Sequence, residues 1–110
     1  MTASHVTTHV LDGATGRPAA GVSVALEDAA GVRLAGAATD DDGRVAGLGP
    51  ERLAPGDYRL VFGTGAYFAA RGQETFFPEV GIVFRISDGE AHYHVPLLLS
   101  PFAYSTYRGS

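Results

Sequence analysis

The sequence contains no cysteine and no lysine, and its eight basic residues are all arginines. Without cysteine, neither a disulfide nor a thiolate metal site can form within these residues. A domain of 110 residues that lacks such cross-links depends on its hydrophobic core, and often on association with further copies of itself.

The sequence also has little net charge and lacks long hydrophobic runs. The net charge is only −4 and the arginines are scattered, whereas nucleic acids and acidic membranes attract clustered basic residues. No apolar run approaches the roughly 20 residues of a membrane helix. Residues 1–6 have neither the basic region nor the apolar run of a signal peptide. These absences predict a soluble, cytoplasmic protein with no nucleic-acid or membrane partner.

Glycine and short alternating segments are abundant. Hydrophobic residues make up 45% of the chain and charged residues 18%, an ordinary globular balance, so we expect residues 1–110 to form a single domain. Fifteen glycines and six prolines separate short runs in which apolar residues recur at every second position. Such runs predict strands at 7–12, 22–27, 32–39, 58–62, 80–87, 92–100 and 103–108.

One segment breaks the alternation, because residues 65–72 suit a short helix that Gly72 would end. Many short strands separated by turns are typical of a sandwich. The predicted fold is therefore all-β, a two-sheet antiparallel β-sandwich of seven or eight strands with one short helix.

The segment 92–99, His-Tyr-His-Val-Pro-Leu-Leu-Leu, carries the most informative pattern. Residues two apart in a strand share a face, so Tyr93, Val95, Leu97 and Leu99 are predicted to face the core. His92 and His94 then lie on the opposite face with Pro96, which has no ladder donor and predicts a bulge or irregular register.

Three interpretations of these histidines remain open. They are simply exposed, which spacing alone favours, or they bind a metal such as zinc with help from His5 or His9. Alternatively, His94 and His9 converge on a cleft and hold a water, since a neutral imidazole can accept its proton near pH 7.

Two further segments carry polar groups of interest. Arg44 follows the turn Asp40-Asp41-Asp42-Gly43, and its guanidinium suits carboxylate, urea or purine-like oxygens if it is more than a surface residue. The end of the chain, 104–110, is rich in hydroxyl groups and is a candidate to fold over a pocket. No phosphate-binding loop or nucleophile elbow is present.

The chain resembles the transthyretin-like proteins along nearly its whole length. His9-Val10-Leu11-Asp12, Gly16-Arg17-Pro18-Ala19 and the 39–44 turn carry the general resemblance. Segments 76–79 and 92–101 and the ending Tyr107-Arg108-Gly109-Ser110 resemble the hydrolase branch of that family, and this ending is the most specific of its motifs.

The resemblance implies hydrolytic ring opening of 5-hydroxyisourate in purine (urate) catabolism, giving 2-oxo-4-hydroxy-4-carboxy-5-ureidoimidazoline. It implies a homotetramer with active sites in a central channel, and no cofactor or metal. The family's site residues fall on His9, Arg44 and His94, and its C-terminal tetrapeptide includes Tyr107 and Ser110. The carriers of this fold lack these residues, which disfavours the alternative of a small-molecule carrier.

The resulting hypothesis assigns catalysis to His9, His94, Arg44 and Ser110. The two histidines would deprotonate a water that attacks the C6 carbonyl and cleaves the N1–C6 bond. Arg44 would stabilise the negative charge that develops, and Tyr107 would orient the substrate. The competing hypotheses are a carrier without catalysis and a purely structural sandwich module.

Overall fold

A computed structural model describes residues 4–87, 89 and 91–109. The described residues form nine strands and one helix. In chain order these are β1 Val6–Asp12, β2 Arg17–Pro18, β3 Ser23–Asp28, β4 Arg33–Ala38, β5 Arg44–Val45, β6 Gly56–Phe62, α1 Thr64–Ala69, β7 Val80–Ile86, β8 Tyr93–Ser100 and β9 Ala103–Thr106.

The strands form two sheets that share one core. The first sheet has the order β2-β1-β8-β9, with β5 paired to β1 beside β2, and the second has the order β4-β3-β6-β7. Alternation along the strands places one face of each sheet inward, as in Leu26, Leu60 and Leu97, all fully buried. The largest fully buried side chains are Phe62, Phe68, Leu26, Leu48, Leu60, Ile86, Leu97 and Leu99.

The two-sheet sandwich and its short helix confirm the predicted fold, with two differences in detail. The strand count is nine in the described ranges, because the two-residue strands β2 and β5 are too short for period-2 alternation to reveal. The central β1–β8 pair is parallel, while every other strand pair is antiparallel. β1 and β8 are joined through the whole second sheet, so no hairpin dictates their relative direction.

The expectation of a bulge or an irregular register near Pro96 was wrong. The β1–β8 register runs unshifted from Val6 opposite Tyr93 to Asp12 opposite Leu99. On the other side, the ladder with the C-terminal segment is interrupted beyond Leu97 and resumes at His94 opposite Gly109. The missing Pro96 donor therefore produces a gap in the ladder, and Thr106 Oγ1 donates a 2.7 Å hydrogen bond to the Pro96 carbonyl there.

Helix α1 is fixed to the end of β1 by a buried polar contact. Tyr67 donates a 2.8 Å hydrogen bond to Asp12 Oδ2, while Asp12 Oδ1 accepts from the backbone of Ala14 and Thr15. Burial raises the pKa of the Tyr67 phenol to about 12, and the hydrogen bond and charge of Asp12 act in the same direction. The phenol therefore stays protonated as a donor across the neutral range.

We expect Tyr67→Phe to destabilise the fold by about 1–3 kcal/mol, because Asp12 is only 2% exposed and would lose a donor that water cannot readily replace. Urea unfolding at pH 7 measures the difference. Tyr104→Phe, which keeps an exposed aromatic ring, is the control and is expected to change stability by less than about 0.5 kcal/mol. Equal stability of the two variants would contradict this account.

Candidate active site on the outer face of the first sheet

The outer face of the first sheet collects polar residues from three strands. Along β1, half-buried Thr7 and His9 alternate with buried Val6, Thr8 and Val10. The sequence therefore places these two side chains away from the core, as the period-2 pattern predicted.

Strand pairing brings Arg44 and His94 to the same place. His9 lies directly opposite Arg44 of β5, and Thr7 lies directly opposite His94 of β8. Residues opposite each other share a face, and those two positions further along remain within reach of long side chains. His9, Arg44 and His94 therefore surround one patch of the sheet, and both His9 and Arg44 influence the charge of His94.

The turn before β5 is tied in a way that fixes Arg44. Asp40 Oδ1 accepts hydrogen bonds from the backbone of Asp42 at 2.9 Å and of Arg44 at 3.0 Å. Gly43 adopts a positive φ of 76°, and a side chain there would collide with the Val10 carbonyl. The acidic run is thus a turn-forming element, as predicted for Asp40 and Asp42, and it presents Arg44 beside β1.

The same turn orients His9. His9 Nε2 lies 2.9 Å from the backbone carbonyl of Asp42, and a carbonyl oxygen can only accept. Nε2 therefore carries the proton, and the neutral ring keeps its lone pair on Nδ1.

Thr7 lies within the candidate site, although the sequence analysis did not identify it. Its Oγ1 lies 2.8 Å from His94 Nδ1 and 2.9 Å from His92 Nε2, so one hydroxyl bridges both imidazoles. The shared face of Thr7 and His9 was visible in the sequence, but the parallel register that sets Thr7 opposite His94 was not.

Burial of the half-buried His94 ring lowers its pKa below the ordinary 6.5, and the charges of Arg44, His9 and His92 add to this effect. A hydrogen bond with the backbone of Thr7 opposes it. The ring is therefore predominantly neutral at pH 7, which is the state that can accept a proton.

His94 lies between two open cavities. The first, of about 270 Å³, is lined by Arg44, Thr7, His92 and their neighbours, and the second, of about 260 Å³, also borders Tyr107. A larger depression of about 440 Å³ lies on the second sheet near Asp57, but no histidine lines it, and Asp57 and Arg59 of its lining form ion pairs with neighbours. His9 borders neither of these two cavities, whereas His94 borders both and His92 borders the first.

The C-terminal segment packs closely against His94. The Gly109 N–H donates a 2.8 Å hydrogen bond to the His94 carbonyl, and a Cβ on Gly109 would lie 2.5 Å from His94 Cδ2. Arg108 places its guanidinium 4.5 Å from the centre of the Tyr93 ring. Tyr107 is 60% exposed, and Ser110 lies outside the described residues.

His5 does not join this site. Its Nδ1 accepts from the backbone of Leu53 at 2.8 Å, and its Nε2 donates to the carbonyl of Ala91 at 2.6 Å. Both ring nitrogens are therefore occupied in the interior. Within the described ranges, no three His, Cys, Asp or Glu side chains are grouped so as to hold a metal ion. The helix that the structure describes is too short to cross a membrane.

Comparison with known proteins identifies the family. The family model described as "HIUase/Transthyretin family" matches residues 6–109. The chain belongs to the HIUase/Transthyretin family.

Hydrolases and a transthyretin of this family share their fold with the chain. A 5-hydroxyisourate hydrolase of Salmonella typhimurium is 54% identical over 106 residues, covering 93% of the chain and 78% of the relative. The structure of the Klebsiella pneumoniae 5-hydroxyisourate hydrolase superposes with a TM-score of 0.88 at 44% identity, covering 96% of the chain and 98% of the other. Sea bream transthyretin in complex with thyroxine also gives a TM-score of 0.88, at 33% identity, covering 94% and 93% of the two chains. Fold alone therefore does not separate the two kinds of protein, whereas the outer-face residues bear on the question.

We expect Gly109→Ala to displace the His94 ring, because the added Cβ has no room beside Cδ2. Two-dimensional NMR spectra of the imidazole are expected to show a shifted His94 resonance with an unchanged core. Gly47→Ala is the matched control, since a Cβ there meets no atom within 4 Å. Identical His94 resonances in both variants would show that the tail does not constrain this ring.

Proposed function

We propose that the chain hydrolyses 5-hydroxyisourate, opening its ring by cleavage of a cyclic amide. The observation that carries this proposal is His94, a half-buried imidazole with a lowered pKa that borders open cavities beside Arg44. The names of relatives at 45–54% identity support the same substrate. The reaction needs a base that deprotonates water and a cation that stabilises the negative charge of the developing oxyanion. His94 supplies the base and Arg44 supplies the cation.

His94 acts on water through Nε2 in this mechanism, because Nδ1 is engaged by Thr7. Nε2 accepts a proton from the water as its oxygen bonds to C6 of the substrate. The tetrahedral intermediate then breaks the C6–N1 bond, and N1 leaves with a proton returned from the imidazolium. Water is consumed, a ureido group and a carboxyl group form, the carboxyl releases its proton to solvent, and the histidine is regenerated.

Arg44 and His9 have supporting roles in the proposal. The guanidinium of Arg44 binds the substrate oxygens and stabilises the negative charge that appears on the former carbonyl. His9 lies opposite Arg44 with its Nε2 proton held by Asp42, so its Nδ1 lone pair is the position available to hold the same water or substrate. His9 and His94 thus divide the work of orienting and deprotonating the water.

Tyr107 and Ser110 complete the proposed site. Tyr107 borders the His94 cavity together with Arg108, which places an aromatic ring and hydroxyl where a planar substrate would enter. For Ser110 the proposal rests on the resemblance of the C-terminal tetrapeptide, and its role is to orient the ring or pass a proton. The reaction is proposed to need no metal.

We also propose that the protein assembles as a homotetramer. Several aromatic side chains remain exposed around the β8–β9 turn, including Phe76 and Phe102, which are 71% and 61% exposed. An exposed cluster of this kind is typical of a surface that contacts another subunit. The cytoplasmic location stays a prediction from the sequence.

A carrier without catalysis is the second candidate, favoured by the match to the transthyretin–thyroxine complex. It predicts stoichiometric binding of an aromatic ligand and no acceleration of ring opening. The ultraviolet decay of freshly prepared 5-hydroxyisourate, measured with and without protein, separates the two candidates.

We expect His94→Ala and His9→Ala each to reduce kcat/KM in that assay by about 10²–10⁴-fold, the usual contribution of general acid–base catalysis. Arg44→Gln should also lower it, because the positive charge is lost. Arg33→Gln, which alters an exposed arginine of the second sheet, is the matched control and should be silent. Wild-type rates for both histidine variants would refute the assignment.

The pH profile of kcat/KM is expected to have its acid limb below pH 6.5, since His94 must be neutral to act and its pKa is lowered mainly by burial. Arg44→Gln removes one of the charges that lower this pKa, so the limb of that variant should move upward, towards 6.5. Arg33→Gln should leave it in place. An acid limb above 6.5 in the unmodified protein would contradict His94 as the base.

A further inference from the structure

The hydroxyl of Thr7 has an unusual pair of neighbours. It lies within hydrogen-bonding distance of His94 Nδ1 and of His92 Nε2, at 2.8 and 2.9 Å. The adjacent Thr8 is different, since its hydroxyl is buried and donates to the Val95 carbonyl at 2.6 Å. Thr8 therefore has a structural bond, whereas the bonds of Thr7 are made to two titratable rings.

Counting protons limits how these three groups can be arranged. A hydroxyl has one hydrogen, so Thr7 can donate to only one ring and must accept from the other. If His94 Nδ1–H donates to Thr7 and Thr7 donates to His92, His94 keeps a lone pair on Nε2 and is a base. In the reverse arrangement His94 carries its proton on Nε2 and is an acid. A shift of protons along the chain, together with uptake of one proton at His94 Nε2, converts the first form into the second.

The surroundings of His94 make such a link useful. Arg44 on β5, His9 on β1 and His92 just before β8 all disfavour a positive charge on the ring, and Arg108 borders the cavity beside it. Among the described residues, no carboxylate forms a hydrogen bond with His94, so the partner that often stabilises a catalytic imidazolium is not found there. His92 is exposed, and water can solvate a charge placed on it.

We propose that Thr7 is a positioning residue that links His94 to His92 and lets the two rings share one proton. When His94 Nε2 takes a proton from water, Nδ1–H passes its proton to Thr7 Oγ1, whose own hydrogen moves to His92 Nε2. The positive charge then lies on the exposed ring, and neutral His94 carries on Nε2 the proton that the leaving nitrogen requires. When His94 gives up that proton, the shift reverses and restores both rings. The reaction role rests on the proposed function, but the link itself does not.

Thr7→Val tests the proposal because it keeps the β-branched shape and removes only the hydroxyl. Thr7→Ser retains the hydroxyl, and Thr15→Val makes the same change in an exposed turn away from the site. We expect Thr7→Val to lower kcat by about 10²-fold, the lower end for a proton-transfer contribution, with KM changed less than about twofold. Thr7→Ser should keep most of the kcat of the unmodified protein, and Thr15→Val should have the same kcat and KM as the unmodified protein.

A second readout needs no substrate. Long-range ¹H–¹⁵N spectra report the tautomer and titration midpoint of each histidine ring. When residue 7 is Thr or Ser, His92→Gln is expected to shift both the tautomer and the titration midpoint of His94. In the Thr7→Val background we expect an unchanged tautomer and a smaller shift of the midpoint, because only the through-space charge of His92 acts there. If His92→Gln shifts His94 equally in both backgrounds, or in neither, the link is overturned.

The two readouts separate the possible failures. An unmodified protein that does not accelerate 5-hydroxyisourate decay refutes the proposed function, while the spectra still decide whether Thr7 couples the rings. An active protein in which Thr7→Val keeps its kcat refutes the positioning role. Thermal unfolding of each variant identifies any loss that comes from misfolding, and a folded Thr7→Ser that fails to restore kcat also counts against the proposal.

Discussion

The parallel pairing of β1 with β8 is the constraint on which the candidate site depends. Its unshifted register sets Thr7 opposite His94, while β5 on the other side of β1 sets Arg44 opposite His9. A slip of one residue would turn every side chain of β1 to the other face and remove Val6 and Val10 from the core. Core packing therefore fixes the relative positions of the polar groups on the outer face. Moving them would take apolar side chains out of the core and destabilise the fold.

That geometry also determines the electrostatic character of the site. Three nitrogen-bearing side chains act on the charge of His94, and burial of the ring favours its neutral form further. A neutral imidazole beside a permanent cation suits a reaction in which water loses a proton and a carbonyl oxygen gains negative charge. The difficulty lies in the imidazolium that must form transiently, which is why the hydroxyl bridge to an exposed second ring is mechanistically important.

The sequence predicted most of the fold but only part of the site. Alternation located the long strands and the core side of β8, since Tyr93, Val95 and Leu97 are buried as expected. Alternation carries no information about which strands pair or in which direction. The parallel β1–β8 ladder and the place of Thr7 opposite His94 therefore could not be predicted from the sequence. The pairing of β5 was equally hidden, because two residues are too few for a periodic signal. The residue pattern made His9, Arg44 and His94 candidates, and the family resemblance supplied their expected roles.

The same alternation explains how one fold can serve both hydrolases and a protein solved in complex with thyroxine. Along β1 and β8, core residues and outer-face residues occupy alternate positions, so substitutions on the outer face leave the packing of Val10 or Leu97 intact. The chemistry of the face can therefore change while the sandwich persists. Close backbone contacts are the exception: Gly43 and Gly109 have no space for a side chain and hold Arg44 and His94 in place. The side chains of the outer face can be replaced without moving the backbone, whereas a side chain at Gly43 would displace the backbone and one at Gly109 would displace the His94 ring.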